Sequence, residues 1–528
     1  MKVFLIHKDR IAVGIIIAMM ILCAFVVNDY GITWDETIQH EYGERVLAFY
    51  TSGFSDHRAL SFGNLYYYGG LLEVLFVLVA KIVPADIFLI RHCITALIGI
   101  VGLVGVYELG RRLGGRATAI IAMLVLALSP LYLAELFNNS KDLPFAVGYI
   151  WAVVFLIDFG KSLPNPSLAV SLRFGIAAGL TMAFRVGGML LYFYFGLVLL
   201  VFLWRQRLNL ISKHSFWVRF GKPLLQVAAI IFISSYALMI IAWPWALVEP
   251  WRPFEALSKM VRFASGPSEI LLMGQWVPTK SLPLTYIPVY ATIKIPELVL
   301  MALAIGFLKI IVAIFTKRLA QLKPTMEQAL VILAAIFPLV YVIVQHSKLY
   351  DGLRHLLFAM SVLMVVAAWQ IIWFFKRFIL GNKTRYYISI LLVVLYLAAH
   401  LSIIIRLHPY HMIYYNVIAK GPSHAVGRFV GDSAGLSYRE AVMLLSSHLL
   451  ADNPPNEQQP VRVHACSNPV SSTWFFPLWM KWAQNISDAD YVLSTTACPC
   501  ERSLVGKGKE ILAVERLGAK INIVRSMH

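Results

Sequence analysis

Long apolar runs recur along the chain, at 11–27, 92–109, 117–135, 143–159, 170–184, 187–204, 224–243, 297–315, 328–345, 355–375 and 386–405. Each is about long enough to cross the roughly 30 Å hydrocarbon core of a bilayer as a helix. Backbone groups in lipid must satisfy one another, so runs of this kind confine the fold to a helical bundle. The composition agrees: of 528 residues, 59% are hydrophobic and only 14% are charged. The expected fold class is therefore an all-α polytopic membrane protein of about eleven transmembrane helices. A small C-terminal α/β domain is expected outside the membrane.

A formal net charge of +18 is also what a nucleic-acid-binding chain carries. The basic residues instead fall in short clusters between alternate runs: "GRRLGGR" (110–116), "RQRLNLISKHSFWVRFGK" (205–222), "TKRLAQLK" (316–323) and "KRFILGNKTR" (376–385). This is how a bilayer protein fixes its orientation, with these turns cytoplasmic. Membrane lipid, not nucleic acid, is the expected surrounding. Lys2, Lys8 and Arg10 precede the first run, and no small-residue cleavage site follows it. It reads as a retained first helix with the N-terminus cytoplasmic and the C-terminus external, in a plasma (inner) membrane. One run breaks the alternation. "GGLLEVLFVLVAKIVP" (69–84) is short and contains Glu73; counted as a crossing, it would put "GRRLGGR" outside. It is expected to be re-entrant or interfacial.

This topology gives a transmembrane domain at 1–405, with external loops at 28–91 and 244–296, and an external α/β domain at 406–528. In the tail, 438–453 has helical periodicity, while 461–466, 489–495, 510–516 and 520–526 read as short strands, the last two joined by Leu517-Gly518-Ala519. Cys23 and Cys93 belong with the membrane helices. Cys466, Cys498 and Cys500 lie in an oxidising compartment, where Cys466 can pair with either of the others. "CPC" as a metal site has no matching ligand pair.

The crossings are nearly free of charge, and the ionisable residues collect at external helix exits. "TWDET" (33–37) lies in the acid-rich stretch "NDYGITWDETIQHEYGE" (28–44). "FNNSKDLPFA" (137–146) holds Lys141 and Asp142. Arg185 sits in "GLTMAFRVGGML", and "HSKLYDGLRHL" (346–356) packs His346, Lys348, Asp351, Arg354 and His355 into one turn. Carboxylates from one loop would face cations from others at headgroup height. Such a site suits a lipid whose phosphate lies in the interface. Cations would hold the phosphate as it leaves, and a carboxylate would take the proton of an incoming hydroxyl. Plainer readings exist for each piece. "T-W-D-E" fits a helix cap, Lys141 and Asp142 fit a turn ion pair worth little, and "WPWALVEPWRPF" (243–254) and "NLYYYGG" (64–70) fit an aromatic belt.

The order of these segments resembles the GT-C class of membrane glycosyltransferases. The likeness is to the group containing the protein O-mannosyltransferases and the lipid A aminoarabinose transferase (glycosyltransferase family 39-like). "WDET" stands where that group has an acidic pair in its first external loop. "NLYYYGGLLEVLFVLVAKI" (64–82) looks like its juxtamembrane segment, and residues 91–135, with "GRRLGGR", are similar to its second and third helices. "NNSKDLPFA", "GLTMAFRVGGML", "YDGLRHLLF" (350–358) and "YYNVIAKGP" with "DSAGLSYREA" complete the likeness. The resemblance implies that Asp35 is catalytic, with Glu36 beside it. It implies a polyprenyl-phosphate-linked sugar donor, inversion at the anomeric carbon, and an acceptor that is a protein, lipid or glycan. The donor phosphate ligands would come from Arg354 and His355 first, then His346, Lys348, Lys141 and Arg185. No cofactor is otherwise implied. Asp142 is the candidate for a divalent cation, although no second acidic pair accompanies it. Two other classes compete with this reading: a lipid-linked sugar transporter or flippase, and a non-catalytic lipid-binding assembly subunit.

Overall fold

The computed structural model describes residues 9–207, 220–260, 266–318, 323–452, 460–466, 468–496 and 499–528. Lys2, Lys8, Cys498 and much of the basic clusters at 205–222 and 316–323 lie outside the described residues. Helix α1 is Arg10–Val26, α2 Trp34–Thr51, α3 Leu71–Ile82, α4 Ile87–Gly114 and α5 Arg116–Ala127. Then come α6 (Asp142–Ser162), α7 (Leu168–Phe184), α8 (Leu190–Arg207), α9 (Lys222–Ile241) and α10 (Arg252–Met260). A hairpin of β1 (Glu269–Leu272) and β2 (Gln275–Pro278) precedes α11 (Tyr286–Lys294). The remaining membrane helices are α12 (Glu297–Phe315), α13 (Met326–Val344), α14 (Leu357–Phe374) and α15 (Lys383–Leu407).

All eleven apolar runs are helical. Nine helices among the described residues are long and apolar enough to cross a membrane; α5 and α7, at 12 and 17 residues, are shorter. The expected run 117–135 is broken because Pro130 starts a separate short helix, Pro130–Leu133. Proline offers no N–H to the turn before it and crowds that turn. Helix α3 has 12 residues, about 18 Å of rise, which is too short for a roughly 30 Å core. Its Glu73 is buried and paired with Arg91 of α4 at 2.7 Å, so α3 is pinned to the bundle by the residue that interrupts its apolar pattern.

Contacts at the helix ends separate two faces of the bundle. On one, Asp9 caps α1 and meets Arg116 at 2.7 Å, while Arg112 meets Asp158 at 2.8 Å and Lys161 meets Glu327 at 3.0 Å. On the other, Asp29 at the exit of α1 meets His408 at the exit of α15, 2.8 Å apart. The "GRRLGGR" turn therefore shares a face with the start of α1, and the acid-rich stretch shares the opposite face with the tail. Helices α4, α6 and α14 are the most enclosed, whereas α12 and α15 turn most of their surface outward. Close approach in the centre depends on Gly99, Gly102 and Gly105 of α4. A Cβ at Gly102 would fall 2.3 Å from the Tyr132 hydroxyl, which donates to the Gly99 carbonyl at 2.6 Å.

The tail adds α16 (Tyr438–Asp452) and the strands β3 (Val461–Ala465), β4 (Met480–Trp482), β5 (Tyr491–Thr495), β6 (Lys509–Arg516) and β7 (Ala519–Ser526). The sheet order is β4-β3-β5-β7-β6; β3 runs parallel to both its neighbours, and the β5–β7 and β7–β6 pairs are antiparallel. The expected β6–β7 hairpin turns through Leu517 and Gly518, both at positive φ. Strand β4 was not expected from sequence, being three residues long and parallel-paired. Of the two open pairings, the structure joins Cys466 to Cys500. The apolar core continues from α4 through Leu407 and Tyr414 to Leu445, Val463 and Val524.

Candidate functional site

The site is built from the start of α2. Thr33 is the N-cap, and Glu36 reaches back to accept from the Thr33 N–H at 2.8 Å and hydroxyl at 3.0 Å, a capping box. Its carboxylate also meets His92 Nε2 at 2.9 Å and accepts from Asn138 Nδ2 at 3.0 Å. A second buried layer lies beside it. Arg91 donates to Glu73 at 2.7 Å and to Gln39 at 3.2 Å, and the Ser140 hydroxyl contacts Gln39 at 2.5 Å and Glu73 at 2.6 Å. Glu36 is thus 1% exposed, saturated with partners and absent from the cavity wall.

Asp35, about 100° round the helix from Glu36, faces the other way, and its side chain is 38% exposed. It meets Lys141 Nζ at 3.2 Å and Arg354 at 4.0 Å. Partial desolvation in the cavity pushes its carboxyl pKa up, but the charges of Lys141 and Arg354 and the Lys141 hydrogen bond outweigh this and hold it below the usual aspartate value. Asn139 sets the loop after it: its side-chain oxygen accepts from the Lys141 and Asp142 N–H groups, and its amide donates to Glu135 and Asp142.

Arg354 is shared among three acids, with Asp351 at 3.2 Å, Asp142 at 3.6 Å and Asp35 at 4.0 Å. Asp351 and Gly352 both take positive φ, a turn that a short polar residue and glycine adopt at least cost. The Gly352 carbonyl accepts from Tyr286 at 3.1 Å. Arg185 pairs with Asp142 at 2.7 Å, and the Tyr68 ring lies under both Lys141 and Arg185. His355 is set edge-on against Tyr350.

Two connected chambers meet at Asp35, Asp351 and Arg354. The larger encloses about 1360 Å³, solvent-connected space included, between Tyr68, Lys141, the β1–β2 hairpin, Tyr350 and the tail residues Asp432, Ser433, Thr495 and Pro499. The smaller is lined by Glu135, Asn139, Tyr290 and Lys294. Burial lifts the Glu135 carboxyl to about 7, despite Arg354 and its Asn139 hydrogen bond. Burial likewise draws Lys294 down to about 7. The tail loop closes over the start of α2. Asp432 accepts from the N–H groups of residues 434 to 437, and the Ala434 carbonyl accepts from Trp34 N–H at 3.3 Å.

Of the residues expected at the site, Asp35, Lys141 and Arg354 line the cavity, while Asp142, Arg185 and His355 stand behind them. His346 and Lys348 are not brought to it. His346 lies two residues past the end of α13, at positive φ, in a separate recess with Leu282, Tyr286 and Ile287. Lys348 faces the charge of Lys280. Helix α13 ends at Val344, so both residues lie in the non-helical stretch after it and no helical face aligns them with Arg354. Asp142 does not fit a divalent cation, because both its oxygens are engaged and two guanidiniums face it. His464, Cys466 and Cys500 form the one ligand-like cluster among the described residues, and its two sulfurs are bonded to each other. Asp351, Glu135 and Lys294 were not foreseen as site residues. Asp351 lay in plain view within "HSKLYDGLRHL", but the other two end apolar stretches and carry no local signal.

Residues 73–234 match the family model described as dolichyl-phosphate-mannose-protein mannosyltransferase. The match bears out the resemblance to GT-C class glycosyltransferases. Lys141, Asp142 and Arg185 fall inside the matched segment; Asp35 and Arg354 fall outside it. Among solved structures, ArnT from Cupriavidus metallidurans, in the apo state, is similar at 13% identity over 97% of each chain, with a TM-score of 0.47. The Archaeoglobus fulgidus oligosaccharyltransferase is similar at 13% identity over 91% of this chain and 69% of that one, with a TM-score of 0.44. The S. cerevisiae protein O-mannosyltransferase Pmt1–Pmt2 complex is similar at 16% identity over 49% and 37%, with a TM-score of 0.32. No curated protein sequence matches the chain.

Proposed function

We propose that this protein is an integral membrane glycosyltransferase, active on the external face, that moves a sugar from a polyprenyl-phosphate-linked donor to an acceptor hydroxyl. The family match supports the class, a transferase with a lipid-linked donor. The observation that carries the mechanism is the cavity-facing Asp35, held ionised between Lys141 and Arg354. Asp35 takes the proton of the acceptor hydroxyl as the oxygen attacks the anomeric carbon. The bond from that carbon to the phosphate oxygen breaks on the opposite side, and the configuration inverts. The phosphate leaves with the bonding electrons. Lys141 and Arg354 hold its charge, with Arg185 behind them. The same cations pair with Asp35 before the donor arrives, so phosphate binding competes for them and loosens the base.

The test is purified protein with a polyprenyl-phosphate sugar, comparing wild type with Asp35→Asn. Loss of a general base costs about 10²- to 10⁴-fold in rate. Equal transfer by the two proteins would sink the assignment.

A further inference from the structure

The segment "WFFPLW" (474–479) is apolar, yet it lies in the external sheet region, between the short helix Val470–Thr473 and the edge strand β4. Phe475, Phe476 and Trp479 pack in part against the core, while Trp474 and Leu478 stay outside it. Leu478 is 84% exposed and Trp474 50%, and Phe475, Phe476 and Trp479 are only partly covered. Trp474 and Leu478 thus leave apolar surface bare within one short segment, as interaction sites do.

Its neighbours show what lies against it. Trp474 meets Phe88 edge-on, ring centroids 5.0 Å apart, and Phe88 is the second residue of the span Ile87–Gly114. Phe475 lies under the Arg439 guanidinium, 5.8 Å away. That guanidinium donates to the carbonyl of Asp29 at 2.8 Å, at the exit of α1. The segment therefore sits at the level where two membrane helices end. Apolar side chains near the ends of these helices are bare as well: Phe25 of α1 is 81% exposed, and Ile82, the last residue of α3, is 80% exposed.

We infer that residues 474–479 form a membrane-interface anchor that seats the C-terminal sheet region on the outer-leaflet lipid around the bundle. Tryptophan and phenylalanine suit this depth, with apolar rings among the upper acyl chains. The exposed Lys481, two residues past the segment in β4, suits the phosphate layer. The anchor also answers a structural problem. Strand β4 ends the sheet at one edge, and an uncovered edge invites pairing with other chains. Anchoring beside that strand limits what can reach it. The inference rests on the placement of the segment at the helix exits and is independent of the glycosyl-transfer reading.

The test uses the full-length protein in lipid nanodiscs, with Cys93→Ser and Cys498→Ser to remove the thiols outside the Cys466–Cys500 bond that a probe could reach, and Leu478→Cys carrying a bimane probe. Emission is compared after adding doxyl-labelled phosphatidylcholine and after adding iodide. A blue-shifted probe quenched more by the doxyl lipid than by iodide is the expected result. A probe quenched as much or more by iodide overturns the anchor. The same pair of measurements at Trp474→Cys repeats the test at a second position, should the first variant fail to assemble.

Discussion

Glu135 and Lys294 place an acid and a base in the smaller chamber with their titrations drawn together, both to about 7. Folding raises the Glu135 pKa above its ordinary 4.5. Between those values the folded protein holds a proton that the unfolded chain has released, so stability falls as pH rises. Folding lowers Lys294 from its ordinary 10.5. Above about 7 the unfolded chain holds the extra proton, so stability rises with pH. The pair is therefore expected to give a stability minimum near pH 7. In thermal melts from pH 4.5 to 10.5, Glu135→Gln should abolish the acid-side fall and Lys294→Met the alkaline rise. Melting curves of the variants parallel to wild type across the range would refute this. Little of it was legible from sequence, because the protonation of each group depends on partners far along the chain. Asp35 was legible as a carboxylate at a helix exit. That Glu36 is a cap and Asp35 the cavity residue becomes clear only once His92 and Asn138 are seen to take up Glu36.

At the scale of elements, the start of α2 is wedged between the membrane bundle and the tail loop. Gly31 lies at the contact, where a Cβ would fall 2.4 Å from the Leu436 carbonyl oxygen. Backbone cannot swing aside as a side-chain tip can, so Gly31→Ala must push the loop 431–436 or the entry to α2 outward. The strain of such overpacking costs about 1–3 kcal/mol. Asp35 would move relative to Lys141. The variant is expected to melt lower and to lose transfer activity, although no charged group has changed. Wild-type activity in Gly31→Ala would show that the wedge does not position Asp35. The helices themselves were well legible, since each apolar run became a helix. The exceptions have local causes: Pro130 divides one run, and buried Glu73 holds α3 against Arg91. The packing of tail on first loop joins residues some 400 positions apart and left no mark in local periodicity.

In the whole molecule the cavity is closed by chain that the topology sets last. Thr495 and Pro499 line the larger chamber, and Cys500, next to Pro499, is tied to Cys466 at the end of β3. The tie spans 34 residues of sequence. In the chain-entropy account, a loop of that size contributes about 4 kcal/mol by restricting the unfolded chain, less any enthalpic offset. Breaking it should therefore lower stability and also free Thr495 and Pro499 from the wall. Cys466→Ala is the better variant, because Cys500→Ala would leave Cys498 able to take the vacant place. Asp35, Lys141 and Arg354 are held by the bundle and by α2, not by this wall. The variant is accordingly expected to keep most of its kcat while KM for donor or acceptor rises, together with a lower melting temperature. Unchanged KM with a lowered melting temperature would mean that the wall closes the cavity without contacting substrate. A collapse of kcat at unchanged KM would mean that the tail positions Asp35 more directly than the contact of Ala434 with Trp34 implies.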